Sequence, residues 1–139
     1  MEQVLLFDLG GEAYGLEISL VREVLAAPRL YPIPRAPAAL LGALNVHGRI
    51  VPLLDLGAWL GFAPAPLDAR VIVLSVAAGR LALAVHQVRR IAQPAGEPLP
   101  PAEGAEQGCI RAVIHHGERM VSLLDVARLM ESLDNLAAL

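Results

Sequence analysis

The sequence predicts an all-β fold with short helices, made of two small barrels packed together in one domain. Short apolar runs alternate with glycine- or proline-containing turns along the chain, a pattern typical of small barrels. Two predicted hairpins match position by position, from Val4 with Val71 to Ile18 with Val85, and a later motif also recurs. We therefore expect two similar halves, about residues 1–66 and 67–139, and leave open an exchange of terminal strands between the barrels.

The first half begins with a predicted hairpin of residues 4–9 (VLLFDL) and 13–18 (AYGLEI), joined by a glycine-rich turn. A helical turn and a proline-rich loop are expected next. The second hairpin runs from residues 40–46 to residues 50–56 and turns at His47-Gly48. Because Asp55 precedes a helix-type run, we expect its carboxylate to cap a short helix by accepting backbone N–H bonds.

The second half repeats this order. Residues 71–76 (VIVLSV) and 81–85 (LALAV) predict a hairpin equivalent to the first one, and the run MVSLLDV at 120–126 repeats IVPLLDL at 50–56. Leu53 and Leu123 are expected in equivalent buried positions, and Asp125 is expected to cap the second helix. The prolines between residues 94 and 101 suggest a connecting loop, since proline lacks the N–H that a strand ladder needs.

Composition limits the possible partners. No apolar run reaches the ~18 residues of a membrane span, so no direct membrane insertion is expected, and the N-terminus lacks the features of a signal peptide. The net charge is −3 and the eleven arginines are scattered, which predicts no nucleic-acid binding. The single cysteine excludes an intramolecular disulfide and favours a reducing compartment, the cytoplasm.

The candidate catalytic and metal-binding residues do not form a recognisable site. His115 and His116 are adjacent on a predicted strand, which directs them to opposite faces, and no further Cys/His pattern supports Cys109 as a ligand. The glycines form no phosphate-binding loop, and no serine lies in a nucleophile motif. We therefore predict no catalytic residues, no metal and no cofactor, and favour a module that binds other proteins.

The chain resembles the CheW-like family, which comprises bacterial chemotaxis coupling proteins and the related regulatory domain of the CheA histidine kinase. The resemblance extends over essentially the whole chain and is most specific between residues 34 and 56. It rests on these motifs: LGGEAYGLEI at 9–18, VREV at 21–24, PIPRAP at 32–37, LGALNVHGRIVPLLDL at 41–56 and LLD at 123–125.

This resemblance implies two five-stranded Src-homology-3-like barrels without catalytic activity. It also implies a cytoplasmic adaptor that couples the cytoplasmic tip of methyl-accepting chemoreceptors to a CheA-type histidine kinase. The groove between the barrels would receive the receptor's helical hairpin, and the barrel edges would pair with the kinase regulatory domain to form rings. The receptor-binding residues implied are Val21, Glu23, Asn45, Val46, His47 and Gly48; no kinase-binding residue is assigned.

Two positions depart from the family pattern. The family usually has Arg where this chain has His47, and Asp where it has His86. An alternative within the family is a scaffold for a twitching, gliding or other chemosensory pathway, and an alternative of a different class is a small-ligand-binding barrel or an enzyme.

Overall fold

The computed structural model describes residues 2–104 and 109–137, and its elements are mostly strands. A 3₁₀ turn at Ile18–Leu20 precedes the third strand. In chain order the elements are β1 Val4–Leu9, β2 Glu12–Glu17, β3 Val21–Ala26, β4 Leu40–Val46, β5 Arg49–Asp55, α1 Leu56–Trp59, β6 Arg70–Leu74, β7 Ala82–Ala84, β8 Gln87–Ala92, β9 Ala95–Leu99, β10 Ile110–His116, β11 Arg119–Leu124 and α2 Val126–Ala137.

These strands form two sheets, each with strands from both halves of the sequence. One sheet has the order β8-β1-β2-β11-β10-β9 and the other has the order β3-β6-β7-β5-β4; we call them the six-stranded barrel and the five-stranded barrel. The hairpin β1–β2 of the first half thus lies with strands of the second half, and β6–β7 does the reverse. The exchange involves a whole hairpin rather than terminal strands alone. The division of the chain near residue 66 stays a prediction.

The two barrels share the positions of their register shifts as well as the order of their equivalent strands. The β4–β5 pairing shifts between Leu40 and Gly42, and the β10–β11 pairing shifts between Ile110 and Ala112, the equivalent positions of the repeat. The exchanged hairpins join by parallel pairing in both barrels, through β5 with β7 and through β11 with β2. Shared bulges and registers indicate the same backbone plan in both barrels, because bulges fix local twist and register.

Buried residues form three apolar clusters. Two are confined to single barrels, with Val51 and Leu53 in the five-stranded one and Val121 and Leu123 in the six-stranded one. The third and largest lies between the barrels and combines strand residues of both sheets with residues of the two helices. As predicted, Leu53 and Leu123 are both buried, at 6% and 0% exposed.

The strands predicted from the apolar runs are all present, but two others were missed and one loop is partly a strand. Strands β3 and β8 follow the first hairpin of each half, where the sequence indicated a helical turn and a loop. Strand β9 occupies part of the predicted proline-rich connection and pairs with β10, which gives one barrel six strands rather than five. Its Pro98 is tolerated because β9 is the last strand of its sheet, where one row of N–H groups has no ladder partner.

Both predicted helix caps are present. Asp55 accepts a hydrogen bond from the Ala58 amide at 3.1 Å, and Asp125 accepts one from the Arg128 amide at 3.0 Å. These carboxylates are therefore committed to satisfying the free N–H groups at the starts of α1 and α2.

Asp68 connects the two barrels at the beginning of the second half. Its carboxylate accepts hydrogen bonds from the Arg70 side chain and amide, at the start of β6, and from the Val88 amide in β8. The Arg70 hydrogen bonds, together with the two backbone amides, lower the pKa of Asp68 to about 2. Since β6 and β8 belong to different sheets, this carboxylate stabilises their relative position.

Replacing Asp68 with Asn is expected to lower the free energy of unfolding at pH 7 by about 1–2 kcal/mol, discounted for solvent screening. A folded-state pKa below the unfolded value stabilises the protein above the unfolded value. That contribution is lost as the pH falls through about 4 towards 2. The parent should therefore lose its advantage over Asp68→Asn by about pH 2, as measured by urea unfolding, whereas the exposed Asp134→Asn control should match the parent. An equal difference at both pH values would contradict this role.

Glu17 is a buried carboxylate with one oxygen left without a partner. Glu17 is 7% exposed, and its Oε2 accepts a hydrogen bond from Arg111 at 3.0 Å. Its Oε1 has no hydrogen-bond partner among the described residues. Burial raises the pKa of Glu17 despite the opposing charge of Arg111, so its ionised form destabilises the fold.

We expect Glu17→Gln to unfold with equal or greater free energy than the parent at pH 7, whereas Arg111→Gln should lose about 1–3 kcal/mol because it leaves the buried charge unpaired. A raised folded-state pKa contributes stability that is present below the unfolded value and lost as the pH rises through the folded value. The benefit of Glu17→Gln should therefore vanish near pH 4. Denaturant unfolding of both variants at the two pH values checks this, and a large loss in Glu17→Gln at pH 7 would show that the ion pair stabilises the fold.

Candidate protein-interaction site

The turn between β4 and β5 forms a tight, exposed tip on the five-stranded barrel. Val46 pairs with Arg49, leaving His47 and Gly48 as the two loop residues, and both have positive φ, 50° and 84°. Such two-residue turns match the twist of a hairpin and favour residues that tolerate positive φ. The Asn45 side chain accepts a hydrogen bond from the Gly48 amide at 2.9 Å, which fixes the turn.

His47 contacts Glu23 of β3 across this tip. Its Nε2 lies 2.8 Å from Oε1 of Glu23, and since a carboxylate accepts, the imidazole donates. The side chain of His47 is 62% exposed and that of Glu23 is 28% exposed, so a polar pair is presented at the surface. Its contact connects β3 with the β4–β5 turn, at opposite ends of the strand order.

The other two residues implied by the family resemblance lie further inside. Val46 is 3% exposed and belongs to the apolar cluster of the five-stranded barrel. Val21 begins β3 and packs partly buried against the cluster between the barrels. The structure therefore brings Glu23, Asn45, His47 and Gly48 together at the tip, while the side chains of Val21 and Val46 contribute to packing.

His86, the second departure from the family pattern, has a structural position. Its Nδ1 accepts a hydrogen bond from the Gly10 amide at 2.9 Å, and its own amide bonds to the Asp8 carbonyl. Gly10 has a φ of 59° and lies so close to the Phe62 ring that a Cβ there would be 2.4 Å from it. His86 thus fixes the β1–β2 turn.

Exposed apolar side chains occur at equivalent positions of the two barrels. Ile50 of β5 is 64% exposed, and Met120, its equivalent on β11, is 57% exposed. Val24 of β3 and its equivalent on β8, Ile91, are also exposed. The internal repeat relates the members of these pairs, but the sequence alone does not reveal their exposure. Buried and exposed strand positions are distinguished only by which face of each strand lies inside a barrel.

The chemistry of a catalytic or metal centre is not favoured by the geometry of the candidate residues. Cys109 is buried, and burial raises the pKa of its thiol, the opposite of what an activated nucleophile requires. Within residues 2–104 and 109–137, no three His, Cys, Asp or Glu side chains lie in an arrangement that could hold a metal ion. None of the helices in the described parts of the chain is sufficiently long and apolar to cross a membrane.

Comparison with known proteins identifies relatives along nearly the whole chain. A family model described as the CheW-like domain matches residues 3–134. The probable chemotaxis protein CheW of Rhizobium etli is 28% identical over 142 residues, covering 98% of this chain and 92% of its own. Protein PilI of Pseudomonas aeruginosa is 35% identical over 115 residues, covering 78% and 65%, and protein FrzA of Myxococcus xanthus is 29% identical over 137 residues, covering 91% and 83%.

A solved structure confirms the predicted fold class. The scaffolding protein TtCheW from Thermoanaerobacter tengcongensis superposes with a TM-score of 0.77 at 23% sequence identity, covering 88% of this chain and 87% of the other. This chain, with its two sheets of strands and short helices, therefore shares the fold of that protein. Since the family model also spans both barrels and most of helix α2, this chain belongs to the CheW-like domain family.

Proposed function

We propose that this chain is a cytoplasmic adaptor that couples the tips of methyl-accepting chemoreceptors to a CheA-type histidine kinase. CheW-like scaffolding proteins are non-enzymatic, so the chain acts through the surfaces it presents. Coupling requires two surfaces, and receptor motion would bias the kinase through differential contacts with them.

The exposed Glu23–His47 pair is the observation that carries the receptor side of the proposal. A tight turn holds His47 at the surface, and the contact with Glu23 fixes the direction of its imidazole. Loop residues held by a rigid scaffold are the usual location of binding side chains. We therefore place the receptor helices against this tip, with Asn45 and Gly48 shaping the backbone.

The repeated apolar positions support the kinase side. Ile50 and Met120 are exposed at the same place in two barrels of the same backbone plan. A kinase regulatory domain built of similar barrels would bury these side chains, one on each barrel of this chain. Contacts on both barrels would allow this protein and the kinase domain to alternate in a ring. Burying each of these side chains against a partner would remove its apolar surface from water, which favours association.

The proposal also specifies the signalling pathway in which the chain acts. Among the relatives are proteins named CheW, PilI and FrzA at similar identities. We favour chemotaxis because relatives from Rhizobium etli, Treponema pallidum and Rhizobium meliloti are named as chemotaxis proteins. A scaffold of another chemosensory pathway is the alternative, and co-purification with one particular kinase from the native lysate would decide between them.

Replacing His47 with Arg is expected to tighten binding to the cytoplasmic tip of a methyl-accepting receptor by up to about 1–3 kcal/mol, the range for a charge-assisted hydrogen bond. The guanidinium is always charged and donates a fork of up to five hydrogen bonds, whereas an imidazole has at most two N–H donors. Binding to a purified receptor-tip fragment is measured by calorimetry, beside the melting temperature.

His47→Asn is the matched control, because Asn tolerates the positive φ of this turn and lacks the imidazole. It should bind the receptor fragment more weakly than the parent at an unchanged melting temperature. Equal affinity of the parent, the Arg variant and the Asn variant would mean that position 47 does not contact the receptor.

Substituting Ile50 or Met120 with Ser is expected to weaken association with a kinase regulatory domain by about 1–2 kcal/mol, roughly 5- to 30-fold, because each side chain would bury its exposed apolar surface there. Val76→Ser is the control, since Val76 is similarly exposed but corresponds to the buried Leu9 in the other barrel. Pull-down titrations and melting temperatures separate binding from folding, and an equal effect of all three substitutions would refute the assignment.

A further inference from the structure

The corresponding ends of the two barrels differ in how far they are open. We call these ends the mouths of the barrels. The mouth of the five-stranded barrel holds a cavity of about 20 Å³ lined by Val46, Val73 and Arg80, among others. In the six-stranded barrel it is an open depression of about 520 Å³. The repeat that matches the two first hairpins makes Ala13 the equivalent of Arg80, and Ala13 lines the depression. A methyl group thus stands where the other barrel has a long side chain, and the mouth stays open.

The rim of this depression is rich in positive charge. Asp8 is the one carboxylate among its lining residues in the described part of the chain, whereas four arginines line it: Arg70, Arg89, Arg90 and Arg119. Asp8 accepts the hydrogen bonds of Arg89, the closer at 2.6 Å, and lies 3.9 Å from Arg119. Arg70 pairs with Asp68. Four guanidinium groups therefore lie beside only two carboxylates, those of Asp8 and Asp68. The depression is thus positively charged although the net charge of the chain is −3.

Arg90 carries the largest part of this excess. Within residues 2–104 and 109–137, no carboxylate lies within 4.0 Å of its guanidinium, which instead contacts Nε2 of His116 at 3.3 Å. A guanidinium only donates, so the imidazole accepts. Arg90 is the equivalent of Glu23 in the repeat, and both residues contact a histidine at a barrel tip. The histidines differ in position, since His47 lies in its turn whereas His116 ends β10, and the strand residue that contacts each has the opposite charge.

The floor of the depression is apolar. Leu6 and Val121 belong to the apolar cluster of the six-stranded barrel, and both line the opening together with Val88. A ligand here would meet guanidinium groups at the edge and aliphatic side chains below. Carboxylates flanking an aliphatic side chain match both surfaces, since a guanidinium binds a carboxylate through two parallel hydrogen bonds.

We propose that the open mouth of the six-stranded barrel binds an acidic segment of a partner protein. Carboxylates of the segment pair with Arg90 and Arg119, and an apolar side chain between them packs on Leu6 and Val121. Nucleic acid is disfavoured because the chain has a net negative charge and because two of the four arginines are held by Asp8 and Asp68, whereas a nucleic-acid footprint needs an extended basic surface. The site is separate from the receptor tip of the proposed function and stands without it.

The test uses the full-length protein and a fluorescein-labelled peptide of sequence Glu-Glu-Leu-Glu-Glu with capped ends, followed by anisotropy. The same peptide with Gln in place of Glu is the uncharged probe. We expect the acidic peptide to bind and the uncharged peptide not to bind, and we expect the binding to weaken as the salt concentration is raised. Replacing both Arg90 and Arg119 with Gln should raise the Kd at least tenfold. The control Arg29→Gln with Arg128→Gln removes the same charge outside the depression and should leave the Kd within twofold.

A third variant separates the site from general charge attraction. Ala13→Arg adds a positive charge but places a long side chain in the mouth, at the position equivalent to Arg80. It should therefore weaken peptide binding at least fivefold while its melting temperature stays near that of the parent. It keeps the proposal testable even if the double arginine variant unfolds. The proposal is overturned if the parent does not prefer the acidic peptide or if the control pair loses as much affinity. Equal or tighter binding by Ala13→Arg, or displacement of the peptide by a single-stranded oligonucleotide at lower concentration, would also overturn it.

Discussion

The burial of β1 and β6 on both faces is the constraint on which the rest of the structure depends. All six residues of β1 are buried, and they alternate between two environments: Val4 and Leu6 lie inside the six-stranded barrel, whereas Leu5 and Phe7 lie in the cluster between the barrels. In β6, Val71 and Ile72 divide in the same way. A strand that is apolar on both faces needs a layer of other protein elements packed on each side to keep it from water. The exchange of hairpins provides it, since each hairpin completes one barrel and covers the other.

This arrangement makes the two barrels a single cooperative unit. The central cluster takes residues from both sheets and from α1 and α2, so neither barrel retains its full apolar burial without the other. Polar contacts then fix the arrangement at its margins: Asp68 connects the starts of β6 and β8, and His86 holds the β1–β2 turn. Apolar burial supplies most of the stability in such a core, and the hydrogen bonds select one geometry.

A shared backbone plan leaves the surfaces free to diverge. Both barrels bring a strand residue against a histidine near the second hairpin turn, but one tip presents Glu23 with His47 and the other presents Arg90 with His116. The mouth lined by Arg80 in one barrel holds a cavity of about 20 Å³, whereas the mouth lined by Ala13 in the other is an open depression of about 520 Å³. A non-enzymatic scaffold needs several different surfaces in a fixed relation, and a repeated fold with divergent side chains meets that need.

The sequence by itself determined the all-β class, the hairpins, both helix caps and the turn at His47-Gly48. These features follow from local signals, namely strand alternation, glycine and proline placement, and an aspartate before a helical run. Its internal repeat also paired Leu53 with Leu123 correctly. Strands β3, β8 and β9 were missed. Exposed residues alternate with half-buried ones in β3, four of the six residues of β8 are exposed, and every residue of β9 is exposed, which gives little hydrophobic signal. Only the tertiary structure decided which hairpin joins which barrel, that Val46 is buried while His47 reaches Glu23, and that the Arg90 mouth is open. Strand partners and side-chain neighbours at such distances along the chain depend on the packing of whole layers, and no local pattern encodes them.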